Sequence, residues 1–153
     1  TIDEDGTSAL LEAAHPLPFT FHRAFDVTRD LDESLDTLQA LGVQRVLTSG
    51  GAASALEGAA MLARLVRRGG ERIVVMAGGG VRRDTVAEVV QASRVREVHL
   101  RGAHRVEGRM AYRAIGVRIG RPFVPDEYAW DVTDAEEIAA VVRAATAAVH
   151  ATA

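Results

Sequence analysis

Four short apolar runs, which begin 24 to 28 residues apart, place the strongest constraint on the fold of this chain. Each run is followed by polar or glycine residues, and then by a stretch with the apolar periodicity of a helix. Short strand-like runs that alternate with amphipathic helices are typical of βαβ units and of a parallel sheet. The predicted strands cover residues 19–23, 45–49, 73–77 and 97–100.

Capping patterns mark the starts of several predicted helices. Asp30 is the expected N-cap of the helix that follows the first strand. Ser54 with Glu57, and Thr133 with Glu136, have the spacing of capping boxes. The predicted helices cover residues 8–14, 31–41, 54–68, about 84–90 and 133–149.

Composition narrows the class of protein. A net charge of −3 provides no overall field that would attract nucleic acid, and no apolar run approaches the ~20 residues of a membrane span. The chain has no cysteine, so it has no disulfide and no thiolate ligand. All 18 basic residues are arginine, which excludes a Schiff-base lysine within these residues. We expect a cytoplasmic α/β protein that binds neither nucleic acid nor membranes.

The number of predicted units indicates half of a barrel. A closed (β/α)8 barrel needs eight βα units and about 250 residues, whereas this chain has four units in 153 residues. The sequence also begins with Thr1 and with a predicted helix. We therefore expect one partial TIM-barrel domain over residues 1–153, with strands five to eight of the barrel. Such a half would leave two sheet edges unpaired.

Side-chain alternation predicts which residues of the first strand face the barrel interior. Successive side chains of a strand point to opposite faces of the sheet. Phe19 and Phe21 suit the layer between sheet and helices, so Thr20 and His22 are expected to point inward. Asp26 follows this strand and is expected near the mouth.

Two histidines and an aspartate are candidates for chemistry at the strand ends. His22 and Asp26 are suitable as an acid–base pair or as metal ligands, and His99 ends the fourth predicted strand. The alternative is a structural network in which Arg23 and Asp26 form an ion pair. The candidate catalytic residues are His22, Arg23, Asp26 and His99, and the candidate metal ligands are His22, Asp26 and His99.

Two glycine-rich turns follow the second and third predicted strands. Backbone N–H groups in such turns can bind an anion, and glycine lets a ligand approach closely. In TIM barrels, the loops after strands seven and eight often bind phosphate. The alternative is that these turns simply need glycine for positive φ. The candidate anion-binding residues are Thr48, Ser49, Gly50, Gly51, Gly78, Gly79 and Gly80.

A long connection over residues 101–131 is rich in arginine. Its arginines either cover an anionic ligand at the barrel mouth, or form a solvated rim or a contact with a partner subunit. They are Arg101, Arg105, Arg109, Arg113, Arg118 and Arg121. Met61, Met76 and Met110 are scattered, and we interpret them as packing residues.

Taken in order, the segments FTFHRAFD, RVLTSGG, MAGGGV and EVHL resemble the CutC family of copper homeostasis proteins. The resemblance runs from about Gly6 to the C-terminus and implies a (β/α)8 barrel, a cytoplasmic location and copper handling or binding. It also implies that the family's N-terminal half is absent. The implied polar cluster consists of His22, Arg23, Asp26, Thr48, Ser49, the glycines of both turns and His99. Arg101 departs from the family, which tends to have serine there.

These observations support three functional hypotheses. The first is a copper homeostasis protein that binds copper; since Cu(I) favours sulfur ligands, a site in these residues would use histidine. The second is a TIM-barrel enzyme that acts on a small anionic metabolite, phosphorylated or carboxylated, with proton transfer by His22 or Asp26 and assistance from His99. The third is a non-catalytic scaffold for a homo-oligomer. The sequence assigns no reaction.

Overall fold

The computed structural model describes residues 1–114, 116–117 and 126–150. A short 3-10 helix, Arg23–Val27, follows the first strand. In chain order, the other elements are α1 Glu4–Ala14, β1 Thr20–Phe21, α2 Leu31–Ala40, β2 Arg45–Thr48, α3 Ala59–Gly69, β3 Val74–Gly78, α4 Val86–Ser93, β4 Glu97–His99, β5 Ala103–Glu107, β6 Ala129–Thr133 and α5 Ala135–His150.

The first four strands form one parallel sheet in the order β1-β2-β3-β4. This confirms the four predicted strands and their parallel pairing. β1 is shorter than expected because the chain turns into the 3-10 helix at Arg23. Within the described residues, the sheet is open, and no strand pairs with the outer edges of β1 and β4. These two unpaired edges are those expected of a half barrel, and the complete barrel stays a prediction.

The two faces of the sheet differ in their side chains. Val46 and Ala77 lie on one face and are fully buried in the apolar core beneath the helices. The opposite face carries a polar network, in which the guanidinium of Arg45 donates to both carboxylate oxygens of Glu97 at 2.5 and 3.0 Å and to Oγ1 of Thr20 at 3.3 Å. Thr20 thus lies on the face away from the helices, as the alternation predicts.

Capping explains where two of the helices begin. As predicted, Asp30 caps α2, and its Oδ1 accepts from the N–H groups of Asp32 and Glu33 at 2.9 and 3.0 Å. The helix α1 begins at Glu4, four residues before the predicted start, because Asp3 is its N-cap.

The two predicted capping boxes are displaced from their helices. Ser54 and Glu57 do contact each other at 2.8 Å, but in a turn that precedes α3, which begins at Ala59. For α5, Thr133 ends β6, and Asp134 accepts from the first turn of the helix instead.

The arginine-rich connection contains a small antiparallel sheet that the sequence analysis does not predict. β5 pairs with β6 so that Ala103 lies opposite Thr133 and Val106 opposite Trp130. Arg118 and Arg121, two of the predicted rim residues, lie outside the described residues. Among the helices that the structure describes, none has both the length and the apolar character needed to cross a membrane.

Candidate functional site

The carboxylate of Asp26 is the centre of a hydrogen-bond network at the carboxyl end of β2. It accepts from the backbone N–H groups of Ser49, at 3.0 Å, and Gly51, at 3.1 Å. The hydroxyl groups of Thr48 and Ser49 also donate to it. Arg23 completes the network, with Nε 2.7 Å from Oδ2. The 3-10 helix makes this possible because it carries Asp26 from the end of β1 to the turn after β2.

These contacts determine the charge of Asp26. Burial on its own would raise the pKa of this carboxyl group, but hydrogen bonds from Thr48 and Arg23, and then from the backbone of Ser49 and Gly51, outweigh burial and lower the pKa below its ordinary value. Asp26 is consequently a carboxylate at neutral pH. Every hydrogen bond that Asp26 makes within the described residues is one that its carboxylate accepts. Asp26 therefore positions its neighbours and has no proton to donate.

The turn over residues 48–51 therefore binds the protein's own carboxylate. Ser49 and Gly51 donate their N–H groups to Asp26, and the N–H of Gly50 donates to Oγ1 of Thr48 at 2.8 Å. Gly50 has a φ of 72°, and a Cβ there would lie 2.6 Å from the carbonyl oxygen of Gly58. The carboxylate of Asp26 occupies the place that the sequence analysis assigns to a bound anion at this turn.

The guanidinium of Arg23 is held in one orientation. Its Nε donates to Asp26, and its Nη2 donates to Oγ of Ser49 at 2.6 Å and to the carbonyl oxygen of Ala52 at 3.5 Å. Nη1 lies beside Gly79, where a Cβ would come within 3.0 Å of it. No acceptor among the described residues takes a hydrogen bond from Nη1. One nitrogen of a fixed guanidinium is thus presented next to the second glycine turn.

Arg23 lines a cavity of about 690 Å³ at the carboxyl ends of β3 and β4. Gly79 and Gly80 form part of its wall, together with the exposed side chain of His99 and the apolar side chain of Val81. Within the described chain, Gly80 and Val81 donate their N–H groups to no protein acceptor. The structure therefore brings together Arg23, the glycine turn and His99, three of the features predicted for the site.

His22 occupies a different environment. It is exposed at the N-terminus of the 3-10 helix, where its Nδ1 accepts from the N–H of Ala24 at 2.9 Å. The side-chain alternation used to place it does not reach residue 22, because β1 ends at Phe21. His22 does not line the cavity that contains Arg23 and His99.

The described residues do not assemble a metal centre. Throughout residues 1–114, 116–117 and 126–150, no group of three or more histidine, aspartate or glutamate side chains is arranged to hold a metal ion. The methionines lie apart: Met61 packs against the core from α3, Met76 is in β3, and Met110 is 63% exposed. These side chains do not fit a copper site made by this chain alone.

Several arginines of the connection pair with nearby carboxylates. Arg101 lies 2.9 Å from Asp131, and Arg113 lies 3.0 Å from Glu107. Arg113 also stacks over the ring of Tyr128, with its Cζ 5.2 Å from the ring centroid. Arg105 is 3.9 Å from Asp126. These pairs fit the solvated-rim interpretation better than a cover over an anion.

His104, on β5, is a candidate residue that the sequence analysis missed. It lines the same cavity as Arg23, and its Nδ1 lies 3.3 Å from Oδ2 of Asp134. The other carboxylate oxygen of Asp134 accepts from the N–H groups of Glu136 and Glu137 at 2.9 and 3.1 Å. Aspartate is a common N-cap, so the sequence could have indicated a role for Asp134 at the start of α5. Its contact with His104 could not be foreseen, because it depends on the pairing of β5 with β6.

Several known proteins are similar to this chain in sequence. A CutC family model matches residues 1–104. A CutC family protein of Mesorhizobium japonicum is 43% identical over 147 residues, which are 96% of this chain and 57% of that protein. The copper homeostasis protein cutC homolog of Homo sapiens is 38% identical over 137 residues, which are 90% of this chain and 50% of the human protein.

A solved structure extends the likeness to the fold. The crystal structure of CutC from Streptococcus agalactiae matches with a TM-score of 0.60 at 35% identity, over 64% of this chain and 49% of that one. The chain spans about half the length of the curated relatives that it matches. Because the family model covers more than half of the residues and the matching segments include the Arg23–Asp26 turn and both glycine turns, this chain belongs to the CutC family.

Proposed function

We propose that this chain supplies a small-anion-binding site to a protein of copper homeostasis. The role in copper homeostasis comes from the names of its relatives. One observation supports the anion site: the guanidinium of Arg23 is held in a fixed orientation, with Nη1 beside Gly79 at the wall of the cavity.

The fixed orientation of Arg23 favours anion binding. Because Asp26 and Ser49 already hold the guanidinium, an anion that binds to Nη1 does not have to restrict a flexible side chain, which lowers the entropic cost of binding. Gly80 and Val81 line the same wall, and their backbone N–H groups donate to no acceptor among the described residues. Arg82, also on the wall, is 68% exposed and lies 3.6 Å from Asp84, so it adds a positive charge that is loosely paired.

The proposed ligand is a small phosphorylated or carboxylated metabolite. Part of the cavity wall is apolar, since it is lined by Leu47, Val81 and Leu100, and this part suits the carbon skeleton of such a molecule. The cavity is also larger than a single inorganic ion requires. The proposed location is the cytoplasm. A net charge of −3 argues against nucleic acid as a partner.

Direct copper binding through His22, Asp26 and His99 remains a separate prediction. His99 supports it in part, because its imidazole is exposed at the cavity. Asp26 does not, because its oxygens are taken by other donors. The copper role of the family is compatible with an anion site, since a homeostasis protein does not have to hold the metal itself.

Calorimetric titration of the intact protein with inorganic phosphate tests the proposal. We expect Arg23→Gln to weaken phosphate binding at least tenfold. The matched control is Arg29→Gln, because Arg29 is an exposed arginine whose partner is Glu33, at 3.2 Å, away from the cavity. Equal phosphate affinity in the wild type and in Arg23→Gln would refute the proposal.

A further inference from the structure

The His104–Asp134 pair is a second polar group on the cavity that contains Arg23. Asp134 uses one carboxylate oxygen to cap α5 and directs the other at Nδ1 of His104, 3.3 Å away. The carboxylate is fixed by the helix, so it orients the imidazole from a rigid element. The pair joins β5 to the start of α5.

This contact selects one form of the imidazole ring. A carboxylate accepts a hydrogen bond from Nδ1–H, so the neutral ring keeps its proton on Nδ1 and leaves the lone pair of Nε2 available. Nε2 of His104 can therefore accept a hydrogen bond from a ligand.

The other charged groups near His104 are largely neutralised by partners. Arg83 donates to Glu137, and Arg101 pairs with Asp131 at 2.9 Å. His99 of β4 also lines this cavity. Asp134 is thus the carboxylate within the described residues that contacts the imidazole of His104.

We infer that His104 is a second ligand-binding residue of this site, and that the ligand is a phosphate monoester with a hydroxyl group. The inference rests on the proposed anion site, because Arg23 holds the phosphate while the hydroxyl faces His104 across the cavity. The hydroxyl donates a hydrogen bond to Nε2 of His104. Asp134 is a positioning residue that holds the ring for this contact.

Labelling with diethyl pyrocarbonate, read by mass spectrometry of the intact protein's peptides, tests the inference, because the reagent acylates an unprotonated imidazole nitrogen. We expect glycerol 3-phosphate to slow labelling of His104 at least fivefold. Labelling of the exposed His15, which lies on no part of the cavity, serves as the internal reference and should not change. In Arg23→Gln, His104 should still be labelled, but glycerol 3-phosphate should no longer protect it.

The variant Asp134→Ser separates orientation from folding. Serine is a good N-cap, so α5 should keep its start while the carboxylate beside His104 is lost. We expect glycerol 3-phosphate to slow His104 labelling less than twofold in this variant, because the ring is no longer oriented toward the ligand, with an unchanged helical circular dichroism signal. If calorimetry detects glycerol 3-phosphate binding but His104 labels at the same rate with and without it, the inference is overturned and the anion site stands. If inorganic phosphate binds but glycerol 3-phosphate does not, the inference is overturned and the anion site stands. If neither binds, both are overturned.

Discussion

Nε of Arg23 lies 2.7 Å from Oδ2 of Asp26, and this ion pair fixes the side chain that reaches the cavity. The two residues stand three positions apart, on the 3-10 helix that follows β1. Asp26 is 8% exposed and Arg23 is 41% exposed, so the pair connects a buried network to an accessible surface. The buried end is held by the turn after β2, and the accessible end provides Nη1 beside Gly79.

Asp26→Asn should destabilise the protein and weaken anion binding together. The amide keeps the shape of the side chain, but it loses the charge-assisted hydrogen bonds from Arg23 and the turn, which contribute about 2–3 kcal/mol to the free energy of unfolding. Arg23 would also lose its orientation. Urea denaturation and phosphate titration measure the two effects. Asp5→Asn, an exposed change on α1, is the control and should leave both unchanged. Full phosphate affinity in Asp26→Asn would contradict the positioning role.

Stability should fall at acidic pH in a way that depends on Asp26. The pKa of Asp26 is lower in the folded protein than the ordinary value of 3.8, so the unfolded chain binds more protons as the pH falls. The contribution is complete well above pH 3.8, and it is lost as the pH falls through the lowered folded pKa. We expect the free energy of unfolding to drop more steeply below about pH 5 in the wild type than in Asp26→Asn. Parallel curves from urea titrations would exclude this contribution.

Gly79→Ala should impair anion binding more than backbone strain alone explains. Gly79 has a φ of 104°, and its new Cβ would also press on Nη1 of Arg23 at 3.0 Å. Gly42→Ala is a matched control, because Gly42 has a φ of 81° but no atom within 4 Å of a new Cβ. Both changes should cost about 1–2 kcal/mol of stability, whereas phosphate affinity should fall in Gly79→Ala alone. An equal loss of phosphate affinity in both variants would show that Gly79 has no specific role in anion binding.

Copper titration tests the metal prediction independently of the anion site. A histidine site would bind Cu(II) in preference to Cu(I), so we expect weak Cu(I) binding and loss of any Cu(II) binding in the double variant His22→Ala, His99→Ala. Isothermal titration of the intact protein measures both. Replacement of Met61, Met76 and Met110 by leucine should have no effect. Tight Cu(I) binding that disappears with the methionines would show that the ligand choice is wrong.

The sheet was predictable because its signals are local. Each apolar run is short, and each is followed by a turn and an amphipathic helix, so the parallel order of β1 to β4 follows from the sequence. Asp30 is likewise recognisable as a cap from its immediate neighbours. β5 and β6 escaped prediction because they are short, largely exposed and rich in polar residues, and their partners lie more than twenty residues apart.

The sequence predicts that the candidate residues lie near one another at the strand ends, but it does not predict the contacts among them. The sequence singles out Asp26 and the turn over residues 48–51 as separate features. It cannot show that the N–H groups of this turn bind Asp26, because their contact depends on how the 3-10 helix packs against β2. The same limit applies to His104, which becomes notable only when β5 places it beside Asp134.

A crystal structure of the intact protein grown with inorganic phosphate tests the central claim most directly. The anion site predicts tetrahedral electron density within about 3 Å of Nη1 of Arg23, the range of an N–H···O hydrogen bond. The density should lie beside Gly79 and Gly80, and it should be absent from crystals of Arg23→Gln grown in the same solution. Density in both crystals, or phosphate bound elsewhere with the wall at Arg23 occupied by water alone, would contradict the account.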